Sequence, residues 1–294
     1  MDAARSPDNG ARPVVQGRRE ARHLMRSPAV FAAPARALVR GVPASYARCL
    51  RREPVPVDPE RARAQVEGYA RALEACGVLV ERLAPDESCP DACFIEDTAV
   101  ILDAETAFAT RPGAPSRRAE VPPVAARLRE RLGRVESCDD TATIDGGDVL
   151  RIGDTLLVGL SERTNEAGAG ALARAANARG LAVVTIPVGE GLHLKSALTL
   201  VSPGCVVALP GAEGLDSVRA LGARIVEAEE PPGANVLALG RVVLVSTAAP
   251  RTRRKLEREP GIEVRPIDVS ELHKGDGALT CLSLRVPSPG AWCA

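Results

Sequence analysis

The stretch "DVLRIGDTLLVGL" at residues 148–160 holds two short apolar runs around a Gly-Asp turn, which is the pattern of a β-hairpin. Similar paired runs recur at 98–110 ("TAVILDAETAFAT"), 197–210 ("ALTLVSPGCVVALP") and 235–247 ("NVLALGRVVLVST"). A fifth run, "CLSLRV" at 281–286, lacks a second run after it. We predict that it pairs with the N-terminal "RALVRG" at 36–41.

A helical stretch and then a run rich in β-branched residues accompany each paired run, so the repeating unit is hairpin, helix, strand. The helical stretches are 59–76, 119–132, 163–179, 213–222 and 250–259. The units begin at Asp97, Asp148, Ser196, Asn235 and Cys281, at intervals of 51, 48, 39 and 46 residues. Five similar units predict one closed α/β ring rather than two domains, because pairing the last strand with the first removes exposed strand edges.

The segments outside the repeats have a different composition. Residues 1–34 mix Pro, Gly, Arg and Ala without apolar periodicity, which predicts a disordered tail, or upstream sequence ahead of an internal start at Met25. We therefore expect a single α/β domain over 35–287 and a short C-terminal tail over 288–294.

The balance of charge limits the kinds of partner. Lys plus Arg and Asp plus Glu both number 38 in 294 residues, so no overall field favours nucleic acid or an anionic membrane. No apolar run approaches the roughly 18 residues of a membrane span, and the N-terminus lacks the order of a signal peptide. We expect a cytoplasmic protein with a small-molecule partner, and the oligomeric state stays open, a homodimer included.

The eight cysteines are scattered, and in a reducing compartment most are expected to be free thiols that pack as small apolar groups. Cys89 and Cys93 flank "PDA", but no second Cys or His pair stands at metal-ligand spacing. The sequence therefore predicts no metal site.

Five loops between the units should gather at one end of the ring. They are "PDACFIED" (90–97), "TIDGGD" (143–148), "EGLHLKS" (190–196), "PPGAN" (231–235) and "HKGDGALTC" (273–281). Several of these loops carry carboxylates, which repel one another in a sheltered cavity unless a cation joins them. A cationic organic substrate would satisfy that cluster.

One histidine and one cysteine also fall in these loops. His193 lies between leucines in "GLHLKS", and Cys281 stands at the start of the fifth unit. A histidine with a carboxylate to fix its tautomer and a thiol within reach forms a Cys/His/acid arrangement for nucleophilic catalysis.

Six motifs in order give the sequence a family resemblance: "FIEDTAVI", "TRPGAPSRR", "TIDGGDVL", "VGLSERTN", "GLHLKS" and "DGALTCLS". They resemble those of dimethylarginine dimethylaminohydrolases, within the guanidino-modifying (pentein) superfamily, from about residue 36 to residue 286. The resemblance implies a five-bladed α/β propeller, in agreement with the five units. It also implies Cys281 as nucleophile, His193 as proton donor and base, and Asp145 as the residue that orients the histidine.

The resemblance further implies hydrolysis of methylated arginines to citrulline through a covalent thiouronium on the cysteine, without metal or organic cofactor. Substrate contacts carry over to Asp91, Glu96, Asp97, Arg117, Arg163, Asp276, the backbone of Gly275 and the lid residue Leu50. Asp91 is expected to face the substrate α-ammonium, while the two arginines recognise the α-carboxylate because a planar guanidinium gives a two-point contact. Glu96, Asp97 and Asp276 would localise the guanidinium charge.

Three other interpretations remain. An arginine deiminase-like hydrolase would release ammonia from arginine, although such relatives resemble longer chains with an inserted helical region. A non-catalytic binding protein could sense arginine derivatives, but it would not need to keep Cys281, His193 and Asp145. A serine hydrolase is favoured least, because "VGLSERTN" lacks the second glycine of a nucleophile elbow.

Overall fold

The computed structural model describes residues 34–189 and 191–287. The expected tails at 1–34, except for Pro34, and at 288–294 lie outside the described residues. The strands are β1 (Arg36–Arg40), β2 (Leu79–Leu83), β3 (Ala99–Ile101), β4 (Thr106–Ala109), β5 (Arg134–Ser137), β6 (Val149–Ile152), β7 (Thr155–Leu160), β8 (Ala182–Pro187), β9 (Leu198–Ser202), β10 (Cys205–Ala208), β11 (Arg224–Glu227), β12 (Leu237–Leu239), β13 (Val242–Ser246), β14 (Glu263–Ile267) and β15 (Leu284–Val286).

The described chain has seven α-helices: α1 (Pro59–Glu74), α2 (Val121–Leu132), α3 (Glu166–Asn177), α4 (Leu194–Ala197), α5 (Leu215–Ala220), α6 (Pro250–Leu256) and α7 (Ser270–His273). Five of them connect two parallel strands of one sheet, whereas α4 and α7 lie between sheets. Two of the longer helices, α1 and α3, begin at capping residues: Asp58 accepts hydrogen bonds from Glu60 N and Arg61 N, and Asn165 accepts one from Gly168 N. The cap at Asn165 explains why α3 begins at Glu166 rather than at the expected residue 163.

Every sheet has three strands and the same topology. An antiparallel pair, such as β6 with β7, is extended by a parallel strand, β8, after a crossover helix. The remaining sheets repeat this order, and β1 pairs antiparallel with β15, joining Leu38 to Leu284 across the ends of the chain. The prediction of a five-unit α/β propeller closed by its terminal strands is therefore confirmed.

Short helical turns at the inner ends of the five sheets form a ring, and we call them the axial turns. The axial turns are Ile95–Thr98, Gly146–Asp148, Leu194–Ala197 (α4), Pro231–Ala234 and Thr280–Leu282. Successive turns from Thr280–Leu282 through Ile95–Thr98, Gly146–Asp148 and α4 to Pro231–Ala234 contact one another, and each leads into the inner strand of its sheet directly or within two residues. Cys281 lies inside the last of them, so the expectation that it begins a strand is wrong: the strand starts at Leu284.

The apolar core is divided among the sheets and the helices that cover them. Val158 and Leu172, for example, are fully buried where α3 packs on the sheet of β7. Other buried clusters lie beneath the remaining helices and between adjacent sheets. Among the described residues, no helix is both long and apolar enough to cross a membrane.

Candidate active site

A cavity of about 230 Å³ opens at one end of the ring of axial turns. All of the predicted site residues line it except Asp145 and Glu96, which lie behind its wall. The lining residues that the sequence did not single out are Arg51, Arg52, Phe94, Glu162, Leu192 and Gly277.

His193 precedes α4 and is held by carboxylates on the neighbouring axial turn. Its Nε2 donates to Oδ2 of Asp145 over 3.0 Å, and Asp145 is completely buried. Burial alone would lower the pKa of the imidazole, but the surrounding carboxylates, Asp97 foremost, raise it to about 9. His193 is therefore an imidazolium at neutral pH, with Nε2 fixed toward Asp145.

The two glycines of "TIDGGD" permit this close arrangement. A Cβ on Gly146 would lie 2.0 Å from the carbonyl oxygen of Glu96. A Cβ on Gly147 would lie 2.8 Å from both Asp97 Oδ1 and His193 Nδ1. A side chain at either position would push the axial turns apart, which explains the Gly-Gly pair in physical terms.

Asp148, the second aspartate of the motif, holds the backbone around His193. Its Oδ1 accepts a hydrogen bond from the amide of Leu194 over 2.9 Å, next to the histidine in the chain. Its Oδ2 accepts hydrogen bonds from the hydroxyls of Ser161 and Thr164, each over 2.7 Å. Asp148 thus ties the base to the loop that carries Arg163, a role that sequence reasoning missed.

Asp97 and Arg117 form a buried ion pair in the cavity wall, next to His193. Arg117 Nη1 donates to Asp97 Oδ2 over 2.5 Å, and the amide of Gly147 donates to Asp97 Oδ1 over 2.8 Å. Burial opposes ionisation, but the positive charges of His193 and Arg117 outweigh it and lower the pKa of Asp97. Asp97 is therefore a fixed negative charge facing the cavity.

Arg117 differs from the two-point α-carboxylate donor that we expected. Its Nε and Nη2 donate to Glu120 over 3.1 and 2.8 Å, and Nη2 also donates to the carbonyl of Phe94 over 2.9 Å. With Asp97 included, four of the five guanidinium N–H groups are occupied. A two-point contact with a substrate carboxylate would have to break this network.

Arg163 is placed more freely at the cavity. Its side chain is 18% exposed, and Nη1 lies 3.9 Å from Oδ2 of Asp145. The turn that presents it is fixed by Ser161, whose hydroxyl accepts a hydrogen bond from the Arg163 amide over 3.0 Å. Of the two predicted carboxylate-binding arginines, Arg163 has the more available guanidinium.

Cys281 lies partly buried in the cavity wall on the axial turn Thr280–Leu282. Burial, followed by the carboxylates of Glu96 and Asp97, raises the pKa of its thiol to about 12. Without a ligand the residue is thus a thiol at neutral pH. A cation placed against those carboxylates would lower the thiol pKa again.

Glu96 is buried behind Cys281 and does not line the cavity. The segment that holds Glu96 and Asp97 is a helical turn, Ile95–Thr98, rather than an extended strand. Consecutive side chains on such a turn diverge, so Asp97 points into the cavity while Glu96 points to Lys195, whose Nζ donates to Oε1 over 2.6 Å.

The predicted lid is anchored to two of the predicted substrate-binding acids. The amide of Leu50 donates to Oδ1 of Asp91 over 2.9 Å, and the amide of Arg52 donates to Oδ2 of Asp276 over 2.6 Å. Asp276 adopts a φ of 58°, which orients its carboxylate toward the lid. A substrate ammonium at Asp91 would share this carboxylate with the lid backbone.

Gly275 lies beneath this lid, where no side chain fits. A Cβ there would lie 2.5 Å from the hydroxyl of Tyr46 and 3.2 Å from the sulfur of Cys49. The backbone of Gly275 therefore lines the cavity directly, as expected of a backbone contact.

Asn235 joins the turn of the base to the turn of the nucleophile. Its Nδ2 donates to the carbonyl of Lys195 over 2.9 Å and to Oγ1 of Thr280 over 3.0 Å. Its Oδ1 accepts a hydrogen bond from the amide of Thr280 over 3.0 Å. Sequence reasoning placed Asn235 at the start of a unit but gave it no role in the site.

Potential metal ligands meet at one point of the site. The donor atoms of Asp97, Asp145 and His193 lie within 4.8 Å of one another. Oδ2 of Asp145 already faces the imidazolium, and Oδ2 of Asp97 pairs with Arg117, so cations of the protein occupy these carboxylates. The arrangement suits a proton-bearing histidine better than a metal ion.

Comparison with known proteins gives concordant matches. An arginine deiminase family model matches residues 122–211. The chain is 41% identical over 232 residues to an N(G),N(G)-dimethylarginine dimethylaminohydrolase of Streptomyces coelicolor, covering 78% of this chain and 88% of that protein. It is 33% identical over 259 residues to the Pseudomonas aeruginosa enzyme of the same name, covering 86% and 96%.

A solved structure matches over the same region. The P. aeruginosa protein, a cysteine-to-serine mutant in complex with citrulline, superposes with a TM-score of 0.80 at 30% identity. The match covers 86% of this chain and 99% of that one. Since close sequence relatives and this structure agree over nearly the whole described region, the chain belongs to the dimethylarginine dimethylaminohydrolase family.

Proposed function

We propose that this chain hydrolyses Nω-methylated arginines to citrulline and methylamine or dimethylamine, with Cys281 as nucleophile. The observation that supports it most is one cavity that brings together a cysteine, an imidazolium held by a buried carboxylate, and the carboxylates of Asp91 and Asp97. The names of the similar enzymes support the choice of methylated arginine as substrate.

Substrate binding prepares the nucleophile. The guanidinium lies against Asp97 in the cavity, where its positive charge offsets Asp97 and the buried Glu96 carboxylate, the two carboxylates that raise the thiol pKa of Cys281. The thiol then loses its proton to solvent water, and the thiolate is stabilised by the bound cation. His193 keeps its own proton because its pKa lies near 9.

The thiolate attacks the guanidinium carbon and forms a C–S bond in a tetrahedral adduct. His193 donates its proton to the methylated nitrogen, the C–N bond breaks, and the amine leaves while a thiouronium remains on Cys281. With Nε2 held by Asp145, Nδ1 is the ring nitrogen that exchanges this proton.

Neutral His193 then takes a proton from a water molecule that attacks the same carbon. The C–S bond breaks, the cysteine leaves as thiolate, the remaining hydroxyl proton passes to solvent, and citrulline is released. Each step uses protein side chains, the substrate and water.

The remaining contacts hold the amino-acid end of the substrate. Arg163 receives the α-carboxylate, and Asp91 with the backbone of Gly275 receives the α-ammonium under the Leu50 lid. Arg117 acts by fixing Asp97 rather than by binding the carboxylate itself. Asp276 holds the lid through the amide of Arg52.

Replacing the nucleophile tests this proposal. Cys281→Ser should still bind Nω,Nω-dimethylarginine but lose citrulline formation, because a serine hydroxyl is not activated at this site. Citrulline and dimethylamine are quantified, and the thiouronium is located by mass spectrometry after acid quenching. Cys205→Ser, a buried free thiol on β10, is the control that should keep full activity. Citrulline formation by the Cys281 variant, or a label on another cysteine, would refute the assignment.

A second candidate, hydrolysis of unmethylated arginine, is favoured by the arginine deiminase model match over residues 122–211. Comparing kcat/KM for arginine with that for monomethyl- and dimethylarginine separates the two. A higher value for arginine would replace the substrate proposed above.

The proposal extends to the cellular setting. We place the chain in the cytoplasm, supported by the described cysteines, which are all free thiols as a reducing compartment favours. Through its methylated substrates the reaction would bear on nitric oxide regulation. Assembly as a homodimer is included in the proposal and is checked by sedimentation velocity.

A further inference from the structure

His273, the last residue of α7, does not line the cavity, but its ring makes two hydrogen bonds. Nδ1 lies 2.9 Å from the carbonyl oxygen of Gly277, and Nε2 lies 2.8 Å from the hydroxyl of Ser246. A carbonyl can only accept, so Nδ1 carries a hydrogen and donates it to Gly277. Burial lowers the pKa of His273, so the ring is neutral at neutral pH and Nε2 accepts from the Ser246 hydroxyl. Nothing in the proposed reaction uses this ring.

Ser246 attaches the ring to a well-supported part of the fold. It ends β13, the central strand of its sheet, and is 1% exposed. Its hydroxyl oxygen also accepts a hydrogen bond from the amide of Ala248 over 3.2 Å. His273 therefore connects the Gly277 carbonyl to the sheet.

The loop that follows His273 meets both the substrate cavity and the lid. Gly275 and Gly277 line the cavity, while Oδ2 of Asp276 accepts the hydrogen bond from the amide of Arg52 in the lid. Asp276 is the one non-glycine residue with a positive φ in the described part of the chain. A residue with a side chain keeps such a conformation only where its surroundings fix it.

Hydrogen bonds on both sides of Asp276 provide that support. The amide of Asp276 donates to the carbonyl of His273 over 3.1 Å, and the amide of Gly277 donates to the carbonyl of Leu272 over 2.9 Å. The His273 ring adds a side-chain donor at the carbonyl of Gly277, directly after Asp276. A Cβ on Gly277 would lie 2.1 Å from the ring of Phe94, so the loop also packs tightly against the cavity wall.

We propose that His273 is a positioning residue: by holding the Gly277 carbonyl it keeps Asp276 in the conformation that binds the lid, and so strengthens substrate binding without touching the substrate. The inference rests on the proposed function where it concerns affinity for methylarginine. The alternative is that His273 only satisfies buried polar groups, in which case its loss would lower stability and leave the lid unchanged.

Affinity and turnover separate these two roles. In the Cys281→Ser background, His273→Leu should raise the Kd for Nω,Nω-dimethylarginine roughly 5-fold, about what one hydrogen bond contributes. With the cysteine intact, kcat should change less than about 2-fold, because Asn235 holds the turn of Cys281 separately. His273→Asn, whose amide N–H can replace Nδ1–H, should restore most of the affinity. Ser270→Ala, which removes a hydrogen bond between α7 and α1, is the control with unchanged Kd. An unchanged Kd in His273→Leu would overturn the inference.

A double-mutant cycle tests whether His273 acts through Asp276. Glycine adopts a φ of 58° without strain and has no carboxylate to bind the lid. In the Asp276→Gly background, His273→Leu should therefore add less than about 2-fold to the Kd. The same loss with and without Asp276 would show that the ring acts elsewhere, against the inference.

Limited proteolysis tests the lid without any substrate. Trypsin cleaves after Arg51 and Arg52 only when the lid detaches, and mass spectrometry gives the initial rate of cleavage. His273→Leu and Asp276→Gly should raise this rate several-fold, while His273→Asn and Ser270→Ala stay near the native rate.

Cleavage after Arg179 in the same digests reports unfolding of the whole chain, because that side chain is 12% exposed and pairs with Asp103 and Glu136. An unchanged lid rate in His273→Leu, or a rise that cleavage after Arg179 matches, overturns the inference even if the native chain makes citrulline. Failure of the native chain to bind or turn over methylarginine sinks the proposed function, and the cleavage rates still decide the role of His273.

Discussion

The two sides of the cavity differ in how fully their polar groups are bonded. On the histidine side, Asp145 accepts hydrogen bonds from His193 and the amide of Gly113, and Asp148 accepts three more. On the cysteine side, the Cys281 thiol has a raised pKa and Oε2 of Glu96 has no partner among the described residues. The histidine side is thus bonded within the protein, and we propose that the substrate cation completes the cysteine side.

This difference suits a reaction in which one group must hold a proton and the other must lose one. An imidazolium already paired with carboxylates is ready to protonate a leaving amine. A thiol that ionises only beside a cation is protected from side reactions while the site is empty. Substitutions on either side of the cavity test this difference.

The largest expected effect comes from removing the carboxylate behind the base. Asp145→Asn should lower kcat about 10³- to 10⁴-fold, as loss of the acid does in other His-dependent triads, because the amide cannot stabilise the imidazolium. The pKa of His193 should fall as well. Steady-state assays give kcat, and NMR titration of the imidazole gives the pKa.

The affinity for dimethylarginine provides the control for Asp145→Asn. In the Cys281→Ser background the Kd for dimethylarginine should change little, because Asp145 lies behind the wall. Asp154→Asn, on the exposed hairpin turn, should behave as the native protein does. A normal kcat in Asp145→Asn would mean that the histidine side is not organised by this contact.

A smaller effect is expected where the two sides meet. Asn235→Leu removes the hydrogen bonds that join the Lys195 carbonyl to Thr280, so the base and nucleophile turns can shift relative to each other. A displacement of about 1 Å between reacting groups costs roughly 10² in rate, and kcat should fall by about that factor. Quenched assays of citrulline formation give kcat, and the Kd for dimethylarginine is measured in parallel. Together they show whether the loss is in kcat or in binding.

Thr199→Val is the matched control for Asn235→Leu. The Thr199 hydroxyl bonds the backbone at Ala234 and Val236 on the same segment but does not reach the turn of Cys281. It should lower the free energy of unfolding without lowering kcat. If kcat falls to the same extent in both variants, Asn235 stabilises only its own segment and does not set the distance between His193 and Cys281.

The sequence predicted the architecture because its signals are local. Apolar alternation, β-branched runs and turn residues marked five units, and the pairing of "RALVRG" with "CLSLRV" followed from an unpaired last run. The boundaries shifted where a cap or turn intervened: Asn165 delays α3, and Thr280–Leu282 holds Cys281 outside β15.

The supporting contacts could not be read from the sequence, because their partners are far apart in the chain. Lys195 meets Glu96 across 99 residues, and Asn235 meets Thr280 across 45. One signal was available: Asp148 and Asn235 both stand where a unit begins, and such positions fall on or beside the ring of axial turns. The commitment of Arg117 to Asp97 and Glu120 depends on side-chain directions that spacing does not give.

The smallest expected effect is on stability and follows from the imidazolium itself. The pKa of His193 is about 9 in the folded chain and about 6.5 when unfolded, so the folded state binds the extra proton between these values. The stability that this proton gives the folded state is fully present below pH 6.5 and is lost as pH rises through 9. The size is on the order of 1–3 kcal/mol.

Urea unfolding of the native chain and of His193→Gln between pH 6 and 9.5 isolates this contribution, because other titrating groups are common to both. The stability advantage of the native chain over the variant should shrink as pH rises across the window. An advantage that stays constant would mean that His193 is neutral in the folded chain at neutral pH. The imidazole would then become protonated only when substrate binds, just as the Cys281 thiol would ionise only when substrate binds.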